Sequence, residues 1–299
     1  KKRRRPAAIA AAVVAVALVG GGDDFAAGAL GGGDESGAAT PEEAGLRLVE
    51  AIADEDLLGA LDLLAEGEAD ALTAIATSAR DEYQRLGLLS DGFSLDGFPG
   101  VDITAEDVEV DVEEIVDGLA MVTITGGEFA VEVDGDDVAG NLGEVVEAVA
   151  DERDAGLDVD DVEEEVDGGD LGATFAVVEE DGRWHPSLAF TIAELARQET
   201  GADEPDLDDP AVEPDGADSP EGAIQALLDA ATSLDAEAAL AVLDPGEVRA
   251  AQVYAELFLP EDSAPPEDVE VELELTDAEV EGIGGGASRV TPTGFEARF

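Results

Sequence analysis

The stretch "TPEEAGLRLVEAIADEDLLGALDLLAEGEADA", Thr40 to Ala71, decides the fold. It returns without a gap as "SPEGAIQALLDAATSLDAEAALAVLDPGEVRA", Ser219 to Ala250. Each copy opens on a helix start signal: a hydroxyl residue to cap (Thr40 or Ser219), proline in the first turn (Pro41 or Pro220) and an acid next (Glu42 or Glu221). Apolar residues then recur at helical spacing, Leu46, Val49, Ile52 and Ala53 in the first copy and Ala223, Leu227, Ala230 and Ala231 in the second. A shorter helix follows, with Leu57, Leu61 and Leu64 matched by Ala236, Leu240 and Leu243.

Alanine-rich segments align by chance more readily than most, so a second match matters. "EDVEVDV" at Glu106 to Val112 recurs in the same order as "EDVEVEL" at Glu267 to Leu273. The first copy carries a longer loop before it, which includes "LSDGFSLDGFPG". Strict alternation of valine with acid marks a strand with one buried and one solvated face. Two matches in order imply a tandem duplication, with Glu199 to Asp218 between the copies as a linker of nine acids, three prolines and no base.

Within the first copy the pattern predicts a third helix near Glu68 to Leu86, a strand over 106–115, and hairpin-like strands "AMVTIT" and "EFAVEV". A helix in the acidic insert "NLGEVVEAVADER" comes next. Two last strands in "GATFAVVEEDGRWHPSLAFTIAE" are joined by a tight turn at Asp181-Gly182. Helices first and an antiparallel sheet afterwards is an α+β plan. The second copy reaches Phe299 before it could supply the last two strands, so the expectation is a fragment or an incomplete second unit.

Before the repeat stands "RRRPAAIAAAVVAVALVGGGDDFAAGALGGG", from Arg3. Residues 6–22 carry no charge and are flanked by the basic run Lys1 to Arg5 and by Asp23-Asp24. That asymmetry puts the N-terminus in the cytoplasm and the remainder outside. At 1.5 Å per residue the run is about 25 Å long, short but usable for a hydrocarbon core of about 30 Å. A cleaved signal peptide is the rival, with "AGA" at Ala27 to Ala29 for a peptidase. Retention is favoured by a start that is not Met, which implies further cytoplasmic sequence, and by a tether-like stretch at 23–39. The expected order is a basic flank at 1–5, a transmembrane helix at 6–22, a flexible tether at 23–39, a first domain at 40–198, a linker at 199–218 and a second domain, truncated, at 219–299.

Composition narrows the functions. The chain has 299 residues, 45% hydrophobic, with 75 acids against 14 bases and a formal net charge of −61. Beyond Arg5 it holds nine arginines and no lysine. Such a surface repels itself in dilute buffer, while at about 1 M salt a Debye length of about 3 Å screens most of the repulsion. Loss of lysine, gain of Asp and Glu and an Ala/Gly/Val-heavy core resemble proteins of salt-loving bacteria with GC-rich genomes. Nucleic acid is excluded as a partner for want of clustered Lys/Arg in the folded part. With no cysteine there is no disulfide framework, no thiolate chemistry and no lipobox.

The opening "PEEAGLRLVEAIADEDLLGALDLL" and the late "VVEEDGRWHPSL" resemble the nuclear-transport-factor-two-like superfamily of cone-shaped α+β domains. Many membrane-anchored extracytoplasmic proteins of actinobacteria are similar. The resemblance implies a curved sheet wrapped around a long helix, with a pocket between them that families use for catalysis, ligand binding or assembly. It covers most of 40–198 and the start of the second unit, through patterns of helix and strand.

Enzymes of this fold often place an Asp/His pair in the cone. The only histidine here, His185, follows Trp184, so a Trp184 buried in the cone turns His185 away from it. No catalytic residue is assigned, since one histidine supports no Ser/His/Asp arrangement. Two acidic stretches, Asp134 to Glu144 and Asp158 to Asp170, fail the calcium-loop pattern: in the first the glycine position holds Ala139 and the preceding position Val138. No metal site or cofactor is expected. A ligand pocket, if the cone holds one, would draw on Tyr83, Phe129 and Trp184. The preferred reading is a noncatalytic extracytoplasmic binding or assembly module, anchored to the cell membrane, with an envelope protein as a possible partner. The alternatives are a small-ligand carrier or enzyme using the first cone, or an accessory domain of a larger cell-wall enzyme.

Overall fold

The computed structural model describes residues 37–86, 100–134, 162–259, 272–284 and 287–298. The protein is α+β, and it divides after Thr191 into two compact units. Among the described residues no helix is long and apolar enough to cross a membrane. The apolar run 6–22 lies outside them, as do the tether to residue 36 and the helix expected in "NLGEVVEAVADER".

The first unit begins with the helices of the repeat, α1 (Pro41–Ala53), α2 (Leu57–Asp62) and α3 (Glu66–Arg85). Thr40 caps α1 by accepting the Glu43 N–H at 3.1 Å, and the Glu43 carboxylate accepts the Ala39 N–H at 3.0 Å, so two end donors are satisfied reciprocally. Asp56 caps α2 through the Gly59 N–H at 2.8 Å. The strands are β1 (Val101–Val116), β2 (Leu119–Val133), β3 (Val162–Asp167), β4 (Thr174–Glu180) and β5 (Arg183–Ser187), with the short helix α4 (Gly168–Leu171) after β3. They form one antiparallel sheet in the order β1-β2-β4-β5, with β3 paired to the far half of β2. The sheet curls, and α1 packs on it.

The core on the α1 side gathers Ala38, Ala44, Ala120, Val122 and Val177, with Val110, Val112, Phe175 and Trp184 packed around it. Fully burying a side chain of valine size is worth about 1.5–3 kcal/mol, so Val122 and Val177 anchor this contact. Gly45 lets α1 approach: a Cβ there would lie 2.7 Å from Val122 Cγ1. Leu119, Met121, Ala176 and Val178, on the other face of the same strands, are buried as well. A second cluster, Leu61, Leu64 and Ala69, joins α2 to α3.

Two expectations change. "AMVTIT" and "EFAVEV" are one strand, β2, running through Gly126-Gly127 because β1 pairs with it along its whole length. The glycines bend the strand at a register shift instead of reversing it, with φ +115° at Gly127 opposite the shift in β1 at Asp107. The reversal is one turn earlier, at Asp117-Gly118. The last expected strand also stops at Ser187, where helix α5 (Leu188–Thr200) begins. The Asp181-Gly182 turn is as read, both residues having positive φ, 51° and 78°, as a two-residue hairpin turn of the primed type demands.

The second unit repeats the start of the first. Helices α6 (Pro220–Ser233), α7 (Ala236–Val242) and α8 (Pro245–Val253) are followed by α9 (Ala255–Phe258) and the antiparallel hairpin β6 (Glu272–Gly284) and β7 (Ala287–Arg298). The caps recur at the aligned positions: Ser219 accepts the Gly222 N–H and Asp235 the Ala238 N–H. Residues 201–218 are held to this unit. The Val212 N–H donates to the Gln252 carbonyl at 3.0 Å, the Asp215 N–H donates to the Ala241 carbonyl at 2.6 Å, and Val212 is buried. The buried Gln252 amide donates to the Leu240 and Leu243 carbonyls, closing the end of α7.

Candidate functional site

Of the residues expected to line a pocket, Trp184 and Phe129 lie at separate places on the sheet. Trp184 is half-buried on β5, its backbone bridged to Ala38 and its ring packed on the α1-side core. Phe129 lies on the far half of β2, between Ala105 of β1 and Val166 of β3, with its ring close over Gly168. Tyr83 is in the last turn of α3. His185 does turn away from Trp184. It is buried on the opposite face, with Nδ1 3.3 Å from the Leu63 carbonyl at the α2–α3 turn, and Gly37 leaves the room its ring occupies.

The polar centre of the first unit is Glu68, which the sequence does not single out. Its carboxylate, carried by α3, accepts hydrogen bonds from the Ser187 hydroxyl, the Leu188 N–H at 2.7 Å and the Ala189 N–H at 3.3 Å. Ser187 Oγ in turn accepts the Phe190 N–H at 3.0 Å, so hydroxyl and carboxylate together cap α5. Burial pushes the Glu68 carboxyl above its ordinary value, with a smaller upward push from the Glu180 charge; the three donors pull the other way without cancelling it. Ser187 is 1% exposed, and its hydroxyl serves as a buried cap.

The second unit has its own buried ionic group. Glu194 on α5 is fully buried and receives a bidentate guanidinium from Arg197, with bonds of 2.9–3.1 Å, and the Tyr254 hydroxyl. Arg197 also donates to the Ala202 carbonyl at 3.2 Å. Burial pushes the Tyr254 phenol far above its usual value, and its bond to the Glu194 carboxylate adds to that. The Arg197 guanidinium is held more firmly protonated by the same carboxylate. Further along, an open groove is lined by Glu221, Gly222, Gln225, Glu274 and Leu275. Gln225 there bonds the outer edge of β6, accepting the Leu275 N–H at 2.7 Å and donating to the Leu273 carbonyl at 2.9 Å.

Electrostatically, the outstanding surface is one face of β1-β2-β3. The register sets Asp102 opposite Glu132 and Glu132 opposite Glu163; two rows along the same face, beyond Thr104–Ala130–Glu165, Glu106 faces Glu128 and Glu128 faces Asp167. All six are exposed. Like charges directly opposite are destabilising, and here they stand in two rows of three. At the edge of this face the Glu55 carboxyl is raised by burial and by the Asp102 charge, against the pull of the Ile103 N–H. Among the described residues no group of three or more His, Asp or Glu side chains is arranged to hold a metal ion. Of the two tested acidic stretches, only Asp134 and residues 162–170 are described, the latter as β3 and α4.

Each buried polar side chain among the described residues has a hydrogen-bond partner. Chemically, the arrangement can cap helices, seal a strand edge and hold a dense negative surface. No family model matches the chain, and neither a curated protein nor a solved structure matches it.

Proposed function

We propose that the chain is a noncatalytic binding or assembly module. It is held at the cell membrane by residues 6–22, exposed outside the cell, and adapted to a saline exterior. The two units are copies of one cone-like design of the nuclear-transport-factor-two-like kind. The observation that carries the noncatalytic part is how the buried polar groups are used. Glu68 and Ser187 cap α5, His185 meets a backbone carbonyl, Glu194, Arg197 and Tyr254 satisfy one another, and Gln252 closes α7. Catalytic acids and bases need a face turned to substrate, and these side chains are spent on the scaffold. The saline setting is supported by the two rows of opposed carboxylates, which cost least where counterions are abundant.

The test is mass spectrometry of small molecules released by denaturing the full chain after purification in molar salt. The module reading expects no stoichiometric compound. A reproducible compound at one per chain overturns it in favour of a carrier or enzyme.

A further inference from the structure

Along one edge of β2 two strands follow each other, and they are held by opposite means. Beside the near half runs β4, whose residues Thr174 to Val178 oppose Thr123 to Leu119; no acid stands in that ladder, and Leu119, Val122, Ala176, Val177 and Val178 are all 0% exposed. Beside the far half runs β3, whose six residues Val162 to Asp167 oppose Val133 to Glu128 and include four acids. Glu163 stands against Glu132 and Asp167 against Glu128, with Asp102 and Glu106 of β1 next across the sheet, and Glu165 lies between the two rows. All seven carboxylates are exposed, and no ion pair joins any of them to a base among the described residues. Among the described residues nothing pairs with the outer edge of β3, and neither core cluster includes a side chain from it. Its junction to β4 is α4, which ends at Gly172 with φ 57° and open space where a Cβ would stand. The acids of β1 feel the same repulsion, but β1 continues into Val110 and Val112, packed on the α1-side core, and its Ile103 N–H is bonded to the Glu55 carboxylate. The repulsion therefore falls on β3, the strand with the fewest ties.

We infer that β3 is a strand latched by salt: in concentrated salt it completes the edge of the sheet, and in dilute salt it leaves β2 while β1, β2, β4 and β5 stay paired. Opening swings β3 about the α4–Gly172 junction and bares the edge of β2 between Glu128 and Val133. Ionic strength governs this step because the charges stand in water. Directly opposed side chains are about 5 Å apart and those two strands apart about 10 Å. At 0.1 M salt the Debye length of about 10 Å reaches both, and at 1 M a length of about 3 Å reaches neither. Taken over the acids of β3 against those of β2 and β1 at the dielectric constant of water, the difference favours opening about tenfold at 0.1 M over 1 M. The latch gives the module a form for dilute surroundings distinct from its saline one. It deepens the saline part of the proposed reading and rests on it.

The test is amide exchange of the full chain, followed by residue in about 0.1 M and about 1 M sodium chloride. The Glu179 amide, which donates to the Gly118 carbonyl at 2.9 Å where β4 meets the start of β2, serves as the internal reference. Relative to Glu179, the β3 amides bonded to β2 should exchange about tenfold faster in the dilute salt. Glu128→Gln with Glu132→Gln, which removes the carboxylates directly opposite β3, should cut this to about twofold, while unchanged protection at Glu179 reports an intact sheet. Three results overturn the inference: β3 and Glu179 responding equally, which makes the salt effect global; β3 not responding at all; or a tenfold response that survives in the double variant. The unfolding temperature keeps the two readings apart. A latch that fails while that temperature still rises with salt leaves the saline reading standing, and no salt response in either measurement removes both.

Discussion

Replacing Glu68 by alanine should destabilise the first unit by about 2 kcal/mol. The residue links α3 to the start of α5 through three acceptor bonds, two to backbone N–H groups and one to Ser187. Each net bond is worth about 1 kcal/mol and loss of a cap costs about 0.5–2 kcal/mol, while relief from holding a carboxylate away from water returns part of that. With a urea m-value of about 2 kcal/mol/M, the midpoint should fall by about 1 M. The assay reads this unit selectively, because Trp184 is the only tryptophan and lies three residues before Ser187. Glu68→Gln separates the charge from the bonds. The folded state holds the Glu68 proton more firmly than the unfolded chain does, the ordinary value being 4.5. This contribution to stability is therefore full below about 4.5 and is lost as pH rises through the raised value. Wild type should show that decline in the Trp184 transition, and Glu68→Gln should lack it. An alanine midpoint within about 0.2 M of wild type, or parallel pH curves for wild type and Glu68→Gln, would refute the reasoning.

Three further outcomes are expected. Gln225→Leu, which installs the residue the first unit has at Leu46, strips the outer edge of β6 of its partner, so the Leu275 amide should exchange faster by tenfold or more, about 1.4 kcal/mol; unchanged exchange would show that the edge is sealed otherwise. In a spectrophotometric titration of the folded chain Tyr254 should contribute no step near pH 10, since burial and the Glu194 carboxylate hold its phenol far above its usual value; a Tyr254→Phe variant that loses absorbance change near pH 10 relative to wild type would contradict the buried cluster. The unfolding temperature should rise between 0.1 M and 1 M salt, and Glu128→Gln with Glu132→Gln, which removes the central member of each acid row, should reduce that rise; an identical salt response in the double variant would place the salt effect elsewhere.

Local rules made much of the fold legible. Thr40 and Ser219 cap the helices expected of them, and the structure adds Asp56 and Asp235 as caps of the shorter helices that follow. Valine–acid alternation announced β1, and Asp-Gly placed the β4–β5 turn with its two positive φ angles. Gly126-Gly127 misled because two adjacent glycines permit either a reversal or a bulge, and only the continuous partner β1 selects the bulge. α5 was missed although Ser187 precedes apolar residues at helical spacing, because the alternation of "RWHPS" reads on as strand until Glu68 arrives to cap the helix.

The amino-acid sequence by itself determined what depends on neighbours within a turn or a strand: the duplicated helices and their caps, the two-faced strands, the charge of −61 and the separation of Trp184 from His185. The tertiary structure alone decided the partnerships made across long separations. Glu68 meets Ser187 from 119 residues away and Tyr254 meets Glu194 from 60, and the acids of β1, β2 and β3 fall into opposed rows only once the register is set. No local pattern encodes such pairs, because an isolated glutamate or tyrosine has the same preferences wherever it stands, and it is the packing of distant segments that takes it out of water and obliges it to find a partner.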